Sequence, residues 1–462
     1  MIKKISILGL IFITHSIFGL NSILTHKMKV REQILKNSPQ FMKDYHSSKQ
    51  KYKQLYNQFN DPGIIIGSNN YVRNINELDK LNWFKHTLKN RPWSDDYWPI
   101  YKGILGNRYA DPMFAYKESW IDYFDYFEAY PVSNMSFEDF NESSRMISPS
   151  EKYDLLLGLE KGTLTQSMWK QGKEYYERNG EVETWMGICH GWAPASFMEQ
   201  RPKKSVVLNS FKGANKLKFF PADIKGLSSY TWSNSRFQTL FMGQRCNEKR
   251  PEGKDGRILS PECFDVNPGS LHLVTLNLLS GQDSSFVLDA TYDYEVWNQP
   301  VFAYSFVYFN LITGKESKDW KEVRTLRKDY KDPYGAYRSK QAKYIVGVRM
   351  EIEYAVENSP VPREYDSVDW DSSMTSAYEY DLEIDRNGLI IGGEWHETLH
   401  PDFLWRPAPG HFPQRSIDFK KELSNWDGKK DLPDRVINYA RRAARDGYVI
   451  RDIVYRLIEL SQ

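Results

Sequence analysis

Cysteine is scarce in this chain: 462 residues hold three, at positions 189, 246 and 263. That excludes a disulfide-dense scaffold and any site built from four thiolates. Beyond the first twenty residues no stretch is long and apolar enough to cross a bilayer, so no membrane span is expected. An excess of one charge is also lacking. The 62 basic residues face 60 acidic ones, a net of +2, which gives no footing for nucleic-acid binding. Internal repeats and low-complexity blocks are absent from the sequence. Aromatic residues, by contrast, make up 15% of the chain, with 30 Tyr and 14 Trp, which suits the half-wet surfaces of an exported protein.

Export is also written at the N-terminus. Lys3 and Lys4 form a basic head, and the apolar stretch from Ile5 to Phe18 is broken by Thr14, His15 and Ser16. It is too short to span comfortably, and Gly19 or Ser22 offers a small residue for cleavage, so residues 1–19 read as a signal peptide. Residues 20–147 form an N-terminal region, polar at first and then densely aromatic without a clear period. It reads as a pro-segment or an accessory subdomain. Residues 148–430 are expected to form the main domain and 431–462 a helical tail.

In an oxidising compartment Cys246 and Cys263, 17 positions apart in a Gly-, Pro- and charge-rich stretch, are expected to form one disulfide. The remaining thiol, Cys189, then becomes a candidate nucleophile. It lies between Gly187 and Gly191, whose bare backbone would let a substrate approach. Pro194 is tolerated only near a first helical turn, so a helix is expected to start at 189–191. A thiol there feels the positive end of the helix dipole, which favours the thiolate.

Periodicity sets the surroundings. Ser148 and Glu151 have capping-box spacing around Pro149, predicting a helix through Leu155–Leu157; a second should run from Thr165 to Asn179 and stop at Gly180. Residues 270–278 alternate like a strand, as do 285–291. A hairpin turning about Ser280-Gly281 would set His272 opposite Asp289, placing an imidazole and a carboxylate side by side. That pair would supply a base and its orienting group to Cys189. Alternation over 346–356 and 378–384, with an Asn387-Gly388 turn, predicts antiparallel strands with one wet face. The fold class is therefore α+β, in the order Cys, His, Asp that papain-like thiol enzymes use.

Two further motifs stand apart. His396-Glu397-Thr398-Leu399-His400 fits H-E-x-x-H, but flanking Gly393 and Pro401 leave no helix to present two zinc ligands, so no metal site is assigned. His400–Trp405 reads instead as a loop packed on the sheet. Asp366, Asp369 and Asp371 lack an EF-hand spacing and read as a solvated loop, so the sequence requires no cofactor and leaves a calcium requirement open.

The stretches Gly187–Pro194, Ser150–Leu156, Val296–Val301, Gly392–Trp395 and His400–Trp405 occur in consistent order across residues 148–406. Together they resemble the secreted transglutaminase elicitor family of oomycetes and some bacteria. The resemblance implies a papain-like core that joins glutamine side chains to lysine amines of protein substrates, with Cys189 as nucleophile and His272 and Asp289 as base and orienter. After Val301 the chain reads Phe302-Ala303-Tyr304-Ser305 where the family's plant-perceived peptide has Arg-Gly-Phe-Lys, so plant perception is not carried over. The oxyanion donor is open too. Position 183 is Glu where papain-like enzymes often have Gln, which leaves Trp185 and Gln244 as candidate donors and Trp297 as a candidate groove residue. A hydrolase with the same centre (peptidase or glutamine deamidase) and a non-enzymatic secreted binding protein are the alternatives.

Overall fold

The computed structural model describes residues 60–114, 117–244, 265–290, 296–397, 400–413 and 417–462. The expected signal peptide and the Cys246–Cys263 bridge lie outside the described residues.

Helix α1 (Trp120–Ala129) precedes α2 (Pro149–Leu157) and α3 (Thr163–Asn179). The capping box of α2 is formed: Ser148 accepts from the Glu151 backbone N–H, and the Glu151 carboxylate accepts from that of Ser148 at 2.8 Å. Glu151 also holds the fully buried Arg108. Gly180 ends α3 in the left-handed conformation, as expected. Helix α4 (Cys189–Met198) starts within the expected window, with Pro194 inside it as the sixth residue, and packs against α5 (Pro221–Ser233).

The main sheet is curled and antiparallel. Its principal strands are β1 (Thr239–Gly243), β2 (Val287–Asp289), β3 (Asn298–Phe309), β4 (Tyr344–Val356), β5 (Ser372–Ile384), β6 (Ile390–Trp395) and β7 (Phe403–Pro407), in the spatial order β6-β5-β4-β3-β2-β7-β1. The last strand in sequence thus lies between the first two. Residues 403–407 are an inner strand, where the sequence suggested a loop. Gly388 makes the β5–β6 turn at φ 86°. The expected wet face holds in the middle of β4, where Arg349 and Glu351 are exposed between buried Val348, Met350 and Ile352, and is lost in the second half of β5. From Tyr380 to Ile384 both faces are buried, because Arg338 reaches in to pair with Asp381 and approach Glu383.

The sharpest departure is at 268–275. These residues form a buried helix, α6 (Pro268–Thr275), which runs on into a π-helical turn over Leu276–Gly281. Asn267 caps it through the Gly269 N–H, and Pro268 takes the first position. Every residue of α6 is buried, so its apolar residues do not mark one face and their alternation mimics a strand. No His272–Asp289 hairpin exists.

Residues 60–147 are bound closely to the main domain. Lys85–Thr87 pairs with β3, Asn60 bonds Asp265 and Asn267, and residues 93–100 run beside α4. The tail forms α7 (Asp434–Arg445) and α8 (Arg451–Leu460), separated at Gly447. Among the described residues no helix is long and apolar enough to cross a membrane.

Candidate active site

Cys189 is the first residue of α4, and no side chain caps that helix end. Cys189 is buried, with 8% of the residue exposed. Its position is fixed from both sides. The Ile188 N–H donates to the Tyr97 carbonyl at 2.7 Å, and the Trp192 indole donates to the Trp93 carbonyl at 3.0 Å. The two glycines serve this packing and not a substrate's approach. A Cβ on Gly187 would stand 2.4 Å from the Tyr97 carbonyl oxygen, and one on Gly191 would stand 2.2 Å from that of Ser229.

The sulfur faces the start of β3. It lies 3.7 Å from the Val296 carbonyl and 3.4 Å from Nδ2 of the buried Asn298. The orientation of that amide is set by Trp405 on β7, whose indole N–H donates to Asn298 Oδ1 at 2.7 Å. An indole can only donate, so Oδ1 must face Trp405 and the NH₂ must face sulfur. The Asn298 donor favours the thiolate, in the same sense as the helix dipole, while the Val296 carbonyl, which accepts from the S–H, favours the thiol.

Asp289, at the end of β2, is the register partner of Asn298 and accepts the Trp297 N–H at 3.1 Å. β7 pairs with β2 through Leu404–Leu288, so Phe403, Asp402 and His400 lie at the end of the sheet that carries Asp289, and Gln244 follows β1 there. His400 stacks on Trp395 with ring centroids 5.0 Å apart, and burial lowers its pKa to about 4. It is therefore a neutral imidazole at neutral pH.

His272 is not part of this group. It is fully buried, with Nδ1 2.8 Å from the Tyr380 hydroxyl and its ring edge-on to Phe306, eight residues along β3 from Asn298. Burial pushes its pKa down to about 3. Trp185, a candidate oxyanion donor, has its indole N–H engaged by Glu183 Oε2 at 2.5 Å. Trp297 meets Tyr97 edge-on, centroids 5.5 Å apart, and is half-buried. In the acidic loop, Asp366 and Asp371 both pair with Arg201, which makes it an ion-pair network and not a solvated loop. His396, from the H-E-x-x-H stretch, follows strand β6 and bonds Asp381 at 2.8 Å. Asn298, with Trp405 behind it, is the residue that sequence reasoning passed over; its signal was adjacency to Trp297 in a matched motif.

The family model described as Transglutaminase elicitor matches residues 69–417. Among solved structures, the GP42 transglutaminase from Phytophthora sojae is similar in fold, with TM-score 0.50 and 20% identity over 85% of this chain and 98% of that one. No curated protein matches the sequence. With the family match spanning most of the chain, Cys189 and Asn298 included, the chain belongs to the transglutaminase elicitor family.

Proposed function

We propose that this protein is a secreted protein-glutamine gamma-glutamyltransferase with a papain-like centre whose nucleophile is Cys189. The observation that carries the reading is the thiol at an uncapped helix N-terminus with the Asn298 amide 3.4 Å from sulfur. The thiolate attacks a glutamine side-chain carboxamide, ammonia leaves, and a lysine amine then takes the acyl group from the thioester. The Cys189 N–H and Asn298 Nδ2 are the donors placed to meet the developing oxyanion.

His400 serves as the proton carrier because it lies at this end of the sheet; burial disfavours its imidazolium, a penalty that Asp289 has to offset. Asp289 orients and stabilises the imidazolium. Leaving water in place of the amine would make the same centre a deamidase or peptidase.

A dansylated amine and a glutamine-rich acceptor protein separate the readings. Dye incorporation means transfer, ammonia without dye means deamidation, and new chain termini mean proteolysis. Cys189→Ala should abolish incorporation, His400→Ala should be nearly as severe, and Asp289→Asn should be milder. Full dye incorporation by Cys189→Ala would refute the proposal.

A further inference from the structure

A closed circuit of contacts runs away from the nucleophile. Asn298 touches the sulfur. Its neighbour Gln299 donates through Nε2 to both Glu357 oxygens, at 3.1 and 3.0 Å. The Asn358 N–H donates to the Asp95 carbonyl at 2.8 Å, which draws Glu357 towards Asp96, and the Tyr97 carbonyl returns the path to Ile188 beside Cys189. On this rim stand two carboxylates and one amide oxygen. Gln299 is 4% exposed, and its Oε1 accepts no hydrogen bond among the described residues. A buried carbonyl oxygen without a donor costs about 1–3 kcal/mol, so a donor is called for here. Tyr97 and Trp297 are half-buried and meet edge-to-face, giving the rim an aromatic flank.

We infer that Asp96, Glu357 and Gln299 Oε1 form a subsite for the primary alkylammonium group of the acyl acceptor, flanked by Tyr97 and Trp297. The assignment of the acceptor rests on the transferase reading above. An ammonium has three donors and no acceptor, and the rim offers acceptors of two kinds with a π face for the methylene stem.

The fixed charges agree. Burial raises the pKa of Asp96 to about 7, with Lys102 opposing and Glu357 reinforcing; burial also raises that of Glu357. The other titratable neighbours are Tyr97, Tyr101, Cys189 and Asp95. Carboxylates of this kind can both bind an ammonium and take a proton from it. The proton passes from R–NH₃⁺ to a carboxylate, and the free amine attacks the thioester carbon. The carbon–sulfur bond breaks, the thiolate is restored, and the proton lost from the new amide nitrogen passes to His400.

The test is a saturation-transfer NMR titration of the Cys189→Ala chain with n-butylammonium and, as the uncharged match, n-butanol, slightly above neutral pH. Butylammonium should bind and butanol should not. Glu357→Gln and Gln299→Leu should each weaken butylammonium by about tenfold or more, the scale of one charge-assisted hydrogen bond. The exposed Glu351→Gln should change nothing. Equal binding of the alcohol, or unchanged affinity in both rim variants, overturns the subsite. Ammonia release from a glutamine donor by the wild-type chain reports on the transferase reading separately. Its failure alone would remove the acceptor role and leave the ammonium site standing.

Discussion

Replacing Asn298 by leucine removes the amide that donates to the Cys189 sulfur while keeping a side chain of similar volume. A hydrogen bond to a charged group contributes about 1.5–3 kcal/mol, which corresponds to a rise of about one to two units in the thiol pKa. The helix dipole is untouched, so some activation remains. Leucine also strands the Trp405 indole N–H, now satisfied at 2.7 Å, at a stability cost of about 1–3 kcal/mol. The two effects separate by assay. The rate of Cys189 alkylation by iodoacetamide is followed against pH, and stability is followed by urea unfolding of the same samples. The alkylation midpoint should move to higher pH in Asn298→Leu. Trp405→Phe, which frees the amide to rotate, should move it part of the way. An unchanged midpoint in a folded Asn298→Leu protein would show that the amide does not act on the sulfur, and the argument built on it would fail.

His272 gives a pH signature of stability. Its folded pKa, about 3, is depressed below the ordinary 6.5, so the unfolded chain binds the extra proton and stability falls as pH drops from 6.5 towards 3. Near pH 5 this contributes a loss of about 2 kcal/mol relative to neutral pH, which His272→Phe should remove when urea unfolding is compared at the two pH values. Since His272 lies away from Cys189, the same variant should keep its cross-linking activity. Gly187→Ala must displace the Tyr97 carbonyl that holds Ile188, so it should lower both the thermal midpoint and the alkylation rate of Cys189, whereas a glycine kept for substrate approach would show an effect on the substrate KM alone.

Local signals were legible wherever one stretch of chain settles its own shape. Ser148, Pro149 and Glu151 announce α2, Gly180 ends α3, and Asn387-Gly388 turns β5 into β6. Alternation failed where burial is complete, as in α6, whose better signals were Asn267 and Pro268 at its start. The inner position of β7 was not legible, because its pairing with β1 and β2 joins segments more than a hundred residues apart. Asn298 was hidden for the same reason: its meaning depends on Trp405, 107 residues further on. The place of Cys189 was legible because a thiol beside a helix start is a local fact. Its partners come from tertiary contacts.

The most direct test is to trap the acyl-enzyme. The chain is mixed with a glutamine-containing peptide in the absence of any amine, quenched in acid, and weighed intact by mass spectrometry. The account predicts an adduct of the peptide less one ammonia, mapped to Cys189, and none in Cys189→Ala. Ammonia release by Cys189→Ala at the wild-type rate, or an adduct mapped to another residue, would contradict it.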